Sequence, residues 1–513
     1  MIFSLGPASG RLLFCLIMWN RACFDIVEWV KLGYDFSIWS KISFLQRGTK
    51  DVLFNSYEFI FAFWPVTFVV YFLLNRYCPP LLGKLWLALA SLFFYSWWSI
   101  KSLPLMLASI AFNYIMGRSI SHAKKPGSRK LLLTLAVVGD LLLLGYYKYA
   151  DFLITNVNAL TNSHIELLHL ALPLGISFFT FTQIAYLVDA YRGKAKEYDV
   201  VKYVLFVTFY PHLIAGPILH HREMMPQFDR KRGKRILPGN VARGLFIFCV
   251  GLFKKVVIAD TLAPIATQGF DVANYLTFID GWVTSLAYTL QLYFDFSGYS
   301  DMAIGIALLF NIKLPINFNS PYKAVSIKDF WARWHMTLSR FLKDYIYIPM
   351  GGNRKGVFRT YFNLVATFVI GGIWHGAGWT FILWGLLHGA AQVIQRLWQK
   401  TGVKIPRWCA WFITFMFINF TWVFFRAVTF DDAIKVLKGM VNIRDLGLTV
   451  SMDLAGNVLL IAAALLVAIF ARNSMQMARR FRPTWKHAIF IAFLFVFSVL
   501  YFNQVSEFLY FTF

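Results

Sequence analysis

Apolar runs recur along this chain from Phe59 almost to its last residue, near 59–74, 85–100, 103–117, 131–147, 165–188, 245–268, 282–310, 408–427, 455–471 and 487–502. A helix needs about 20 residues, at 1.5 Å each, to cross a hydrocarbon core of about 30 Å, so several runs are marginal singly. Their recurrence decides the class. With 58% hydrophobic and only 15% charged residues in 513, no soluble set of domains could be covered in polar surface. The sequence therefore predicts an all-α polytopic membrane protein with one integral domain over 52–513. Residues 1–51 form an N-terminal extension of unknown role; their longest apolar run, "LLFCLIMW", is about eight residues and too short to span.

A formal net charge of +25 raises the question of nucleic acid. The Lys and Arg residues, however, cluster in loops at 118–130, 222–243, 323–359, 396–407 and 472–486, between apolar runs. That is the positive-inside pattern, which places all five loops in the cytoplasm and predicts no nucleic-acid partner.

Two apolar stretches break the alternation. "YVLFVTFYPHLIAGPIL" (203–219) lies between basic loops and carries Pro211, Gly216 and Pro217, so it is expected to fold back inside the protein as a re-entrant segment. The hairpin 361–395 is likewise flanked by cytoplasmic charge. Taken from Tyr361 to Ile373, its first limb reaches only about 20 Å, which would leave the apex "GGIWHGAGW" (371–379) inside the membrane. The stretch 326–356 mixes aromatics with Lys and Arg at helical spacing and reads as interfacial amphipathic helices.

Of ten histidines, His335, His375 and His388 lie in tryptophan-rich apolar settings. An ionisable group at membrane depth points to function, although an imidazole bridging two helices is an equally good account of any one of them. A buried neutral imidazole can take the proton of a hydroxyl that attacks an acyl carbonyl. Glycines 371, 372, 376 and 378 would give a substrate room beside His375. His212, His220 and His221 flank the broken segment, where a structural role is favoured, and Glu223 alone with the histidine pair does not make a metal site. The five cysteines have no metal-type spacing, so no metal is expected. No G-x-S-x-G elbow and no phosphate loop occur, which argues against a serine hydrolase and an ATP-driven pump. Asp295 and Asp301 are the carboxylates expected to face a cavity or to hold a histidine or arginine in place; a proton-coupled transporter would use them and is the competing class. A scaffold for a secretion complex is a third.

"QLYFDFSGYSDMAIG" (291–305), the 40-residue stretch 317–356 and "GGIWHGAGWTFILWGLLHG" (371–389) together resemble the membrane-bound O-acyltransferase family, and within it the bacterial alginate O-acetyltransferase branch. "FYSWW" (94–98), "LPLGISFFTFTQIAYLVDAYRG" (172–193) and "FYPHLIAGPI" (209–218) fit the same branch. The resemblance implies a ring of about 11 to 13 transmembrane helices with re-entrant segments and a central tunnel. It implies that His375 is catalytic with His335 as its partner; Asp295, Asp301, His388, Trp374 and Asn353 are candidates to support that pair or line the tunnel. Arg333, Arg340 and Lys343 are candidates to attract an anionic donor at the cytoplasmic entrance. No bound cofactor is expected; acetyl-CoA is the implied donor substrate. The implied partners are membrane lipid, a polysaccharide acceptor such as alginate, and a periplasmic or extracellular SGNH-like acetyltransferase. The implied location is the bacterial inner membrane. Peptidoglycan O-acetylation and D-alanyl export are the alternative functions within the family.

Overall fold

The computed structural model describes residues 54–195, 199–447, 452–502 and 509; the extension 1–51 lies outside them. Among the described residues the chain is all-helical, with no strand. Its first four long helices are α1 (Trp64–Tyr77), α2 (Pro80–Trp98), α3 (Leu103–His122) and α4 (Pro126–Thr161). Then come α5 (Ile176–Tyr191), α6 (Val200–Thr208), α7 (Tyr210–Leu213), α8 (His221–Asp229), α9 (Pro238–Phe253) and α10 (Asp260–Thr267). The long α11 (Phe278–Leu309) precedes two short helices, α12 (Ile327–Trp331) and α13 (Met336–Leu342). The hairpin α14 (Val357–His375) and α15 (Trp379–Thr401) is followed by α16 (Arg407–Arg426), α17 (Phe430–Val441), α18 (Met452–Phe470), α19 (Ser474–Arg480) and α20 (Trp485–Leu500).

By length and composition, six helices are able to cross a membrane: α1 and α3, each with its short lead-in turn, and α2, α4, α14 and α16; a seventh span results if the pair α18 and α19, bent by 54°, counts as one. These helices are multi-pass membrane spans. Their outward faces carry exposed Leu, Phe, Ile and Val, as a lipid-facing surface requires.

The centre is built on α11, which is buried along nearly its whole length. Its glycines allow α9 to pack backbone against backbone. A Cβ on Gly298 would lie 2.8 Å from the Gly251 carbonyl oxygen, and one on Gly305 would lie 2.7 Å from that of Gly244. Such close approach is how helices associate where no hydrophobic drive separates them from lipid.

The segment 203–221 is buried except at half-buried Val204 and is broken as the sequence predicts: α6 ends at Thr208, α7 is a single turn, and an irregular stretch follows. Its freed backbone groups find protein partners. Tyr210 N donates to Ser91 Oγ at 3.1 Å and Ile218 N to Thr337 Oγ1 at 3.1 Å, which is the condition for irregular backbone at this depth.

Two expectations about the hairpin are overturned. Its first limb begins at Val357, not Tyr361, and its 19 residues extend about 28 Å, so a short limb is not what keeps His375 from water. Nor do all the glycines make room for substrate. Gly372 lies against the backbone of Phe381 and Gly376 against its ring, so their bareness serves the packing of α14 on α15.

Candidate active site

His375 is the last residue of α14 and is buried although it stands at a helix end. Aromatic rings enclose it: Trp374 at 4.8 Å, Trp384 at 5.2 Å and Phe425 at 5.0 Å between centroids. Protein, not lipid, therefore excludes water from this imidazole. Trp374 bridges to the second histidine, its ring 6.2 Å from that of His335. His335, Lys148 and His388 are the ionisable groups within electrostatic reach of His375.

His335 is fully buried and starts α13 with φ +41°, in the left-handed region. A non-glycine residue held there is strained, and such strain persists only where the surroundings over-determine it. Asn317 does so. Its Oδ1 accepts from Thr337 N at 3.3 Å and from Thr337 Oγ1 at 2.9 Å. Because a backbone N–H can only donate, Oδ1 is fixed as an acceptor, and His335 Nδ1, 3.2 Å away, must carry the proton. In the neutral ring Nε2 is then the accepting nitrogen.

His388 has the opposite tautomer. Trp331 Nε1 can only donate, and it donates to His388 Nδ1 at 3.1 Å; Nε2 then carries the proton and donates to Thr421 Oγ1 at 3.2 Å. Both ring nitrogens are engaged, and α12, α15 and α16 are pinned together. For this histidine the helix-bridging account holds.

The carboxylates lie elsewhere. Asp295 pairs with Lys255 Nζ at 2.8 Å, and Lys255 also binds Asp260 at 2.6 Å in a fully enclosed trio. Asp301 pairs with Lys254 at 2.7 Å and accepts from Ser474 Oγ. These contacts tie α11 to the helical turn after α9 and to α19, rather than to the histidines. Their partners, Lys254 and Lys255, carried a signal in the sequence: two lysines interrupt the apolar run 245–268. His220 Nδ1 lies 2.9 Å from Tyr345 Oη and 3.5 Å from Asp189, and His221 packs on Tyr186 and Phe206.

A cavity of 740 Å³ opens on the side of the basic loops. Lys328, Lys343, Arg396 and Lys400 line it, together with Asn353, and its inner wall includes Trp331 and Phe368. Of the three cations chosen from sequence, Lys343 belongs to this wall. Arg333 is paired with Asp329 at 2.7 Å and Arg340 with Glu223 at 2.9 Å, and neither is among the described lining residues. Arg396 and Lys400 were missed because their place on α15 reads as the flank of a span.

At the other end, beyond His375, lies a chamber of 30 Å³ bounded by Lys148, Ser177, Trp374 and His375. Next to it a cavity of 320 Å³ is lined by Tyr146, Lys148, Asp151, Gly376 and Phe381. Lys148 borders both. Its ammonium donates to the carbonyl oxygens of Trp374 at 2.8 Å and His375 at 2.9 Å. This lysine, directly after the apolar run 131–147 in "YYKYAD", was a legible anomaly that the histidines overshadowed.

The arrangement suits acyl transfer: two histidines buried among aromatic rings, one of them on the wall of a chamber, and a separate cavity lined by cations. Comparison with known proteins agrees. The membrane-bound O-acyltransferase family model matches residues 16–430. The peptidoglycan O-acetyltransferase of Helicobacter pylori is 54% identical, over 77% of this chain and 81% of its own. A probable alginate O-acetylase of Azotobacter vinelandii is 42% identical over 77% and 79%. The teichoic acid D-alanyltransferase of Bacillus subtilis is 28% identical over 50% and 69%. The chain thus belongs to the membrane-bound O-acyltransferase family and is a multi-pass membrane enzyme, an O-acetyltransferase.

Proposed function

We propose that this enzyme takes an acetyl group from a cytoplasmic thioester, acetyl-CoA, and delivers it to a hydroxyl on the far side of the bacterial inner membrane for O-acetylation of peptidoglycan. The observation that supports the reading is that buried His375 lines an apolar-walled chamber while a separate cavity lined by four cations opens on the side of the basic loops. Lys328, Lys343, Arg396 and Lys400 suit the phosphates of a nucleotide thioester. His375 accepts the proton of the attacking hydroxyl, the new C–O bond forms at the acyl carbon, and the C–S bond breaks to release the thiolate, which takes up a proton. His335 stands by to orient the acyl group or to meet the charge that develops on its oxygen.

Peptidoglycan is favoured over alginate as the acceptor because the Helicobacter pylori relative is 54% identical against 42% for the alginate relative, over the same share of this chain. Alginate or a related exopolysaccharide is the second reading, on the strength of that 42% match. A periplasmic SGNH-like acetyltransferase would receive the acyl group and complete its transfer to sugar. Deleting the gene and measuring base-released acetate on purified sacculi and on secreted polysaccharide tests this. Acetate lost from sacculi and restored by the wild-type gene is expected; loss from the secreted polymer alone would favour the second reading, and loss from neither would refute both.

A further inference from the structure

The last turn of α14 ends with carbonyl groups that no residue within the helix can satisfy. Here they are met from a neighbouring helix. Tyr149 Oη donates to Ile373 O at 2.6 Å, and Lys148 Nζ donates to Trp374 O at 2.8 Å and His375 O at 2.9 Å. Two consecutive residues of α4 thereby cap three consecutive carbonyls, the third belonging to His375 itself. The remaining reach of the ammonium is to Ser177 Oγ on α5, at 3.5 Å. Among the described residues Lys148 forms no ion pair with a carboxylate. The nearby Asp151 is occupied with the loop before α5, accepting from Leu168 N at 2.7 Å and His169 N at 3.0 Å.

Lys148 lies on a 36-residue helix directly after the apolar run 131–147, and although α14 is followed by a glycine, Gly376 is extended at φ −158° and ψ 154° and does not form the left-handed cap that would satisfy these carbonyls. The lysine's positive charge also complements the negative end of the α14 dipole. We propose that Lys148 and Tyr149 are positioning residues for acyl transfer, fixing His375 by capping α14 from α4. The inference rests on His375 being the residue that takes the acceptor's proton. Lys148 borders both the 30 Å³ chamber and the 320 Å³ cavity, so the same contact holds the imidazole and the wall past which the acceptor hydroxyl must come.

The test is made in cells lacking the gene and complemented with full-length variants at matched membrane levels. The reading is ester-linked acetate on both sacculi and secreted polysaccharide, with the melting temperature of each purified variant measured in detergent. Lys148→Met should lower acetylation about 100-fold, the usual cost of misplacing a catalytic group by about 1 Å. Lys148→Arg, which keeps the charge and the donors, should recover most of the loss. Tyr149→Phe should lower acetylation about fivefold at an unchanged melting temperature, since it removes one hydrogen bond of about 1 kcal/mol. Wild-type acetylation by Lys148→Met, or by Tyr149→Phe, overturns the proposal, and so does a loss in Lys148→Arg as deep as in Lys148→Met. If Lys148→Met does not insert, Tyr149→Phe decides alone. His375→Ala serves as reference: full acetylation there would remove the underlying reading instead.

Discussion

Asn317 Oδ1 lies 3.2 Å from His335 Nδ1 and is held as an acceptor by the backbone N–H of Thr337. This one amide oxygen sets the tautomer of a buried histidine and braces its left-handed backbone. Partners of this kind are worth roughly 10- to 100-fold where they orient a catalytic group. Asn317→Ala should therefore lower acetylation by that factor, whereas Asn317→Asp, which keeps the acceptor, should fall less. Equal activity in wild type and Asn317→Ala would show that the tautomer of His335 is immaterial.

The three membrane histidines should separate in a single experiment. His375→Ala is expected to lose about 10²- to 10⁴-fold in transfer, the span usual for a general base, while the protein inserts normally. His388→Ala should behave differently. It leaves the Trp331 indole N–H without its acceptor, at a cost of about 1–3 kcal/mol in stability, yet transfer per folded molecule should change little. Detergent melting curves alongside acetate measurements distinguish the two outcomes.

How much of this was legible beforehand depended on whether a residue's partner was near in sequence. The class, the basic loops between apolar runs and the broken segment at 203–219 follow from local composition, and His375 and His335 stand out against their apolar surroundings. What could not be read was pairing across helices. Asp295 and Asp301 look like cavity residues until Lys255 and Lys254, 40 and 47 residues earlier, are found beside them. Lys148 is an anomaly on its own helix, but its partners lie 226 and 227 residues away. The short-limb argument failed for a simpler reason: Val357 to Thr360 belong to the helix although Arg359 made them read as loop.

The basic cavity predicts a kinetic signature. Neutralising Lys343 together with Arg396, which line the cavity proposed for the donor, should raise the KM for the thioester while leaving kcat nearly unchanged, as expected for groups that would hold the carrier rather than the reacting carbon. The wild-type KM should also rise with ionic strength, and the double variant's should rise less. Transfer assays in nanodiscs with labelled acetyl-CoA at several salt concentrations would measure both. A KM insensitive to the double substitution would place the donor elsewhere.

Asp229, which lies outside the membrane-spanning helices, joins Lys84 on α2 and Lys202 on α6. Partial burial pushes its carboxyl upward, but the hydrogen bonds and charges of the two lysines outweigh it and hold the group below the usual carboxylate range. The stability this lends is present above the unfolded value of about 3.9 and is lost as pH falls through the lower folded value. Asp229→Asn should therefore melt slightly lower than wild type at neutral pH, with the difference closing in acid. A difference that stayed constant down to pH 3 would mean that the lysines do not act on this carboxylate.

The enclosed trio of Lys255, Asp260 and Asp295 makes the most severe stability prediction. All three side chains are at most 2% exposed, and one ammonium serves two carboxylates. Removing that ammonium in Lys255→Met would leave both acids buried without their cation, a change that costs about 3–5 kcal/mol in comparable pairs. Little folded protein should then reach the membrane. Neutralising the acids as well, in Lys255→Met with Asp260→Asn and Asp295→Asn, removes the charges that need compensation and should restore part of the yield. Fluorescence size-exclusion of detergent extracts would report both quantities. If the triple variant were no better than the single one, the trio would matter for its hydrogen-bond geometry rather than for its charge balance, and α11 would be held to the turn after α9 by shape alone.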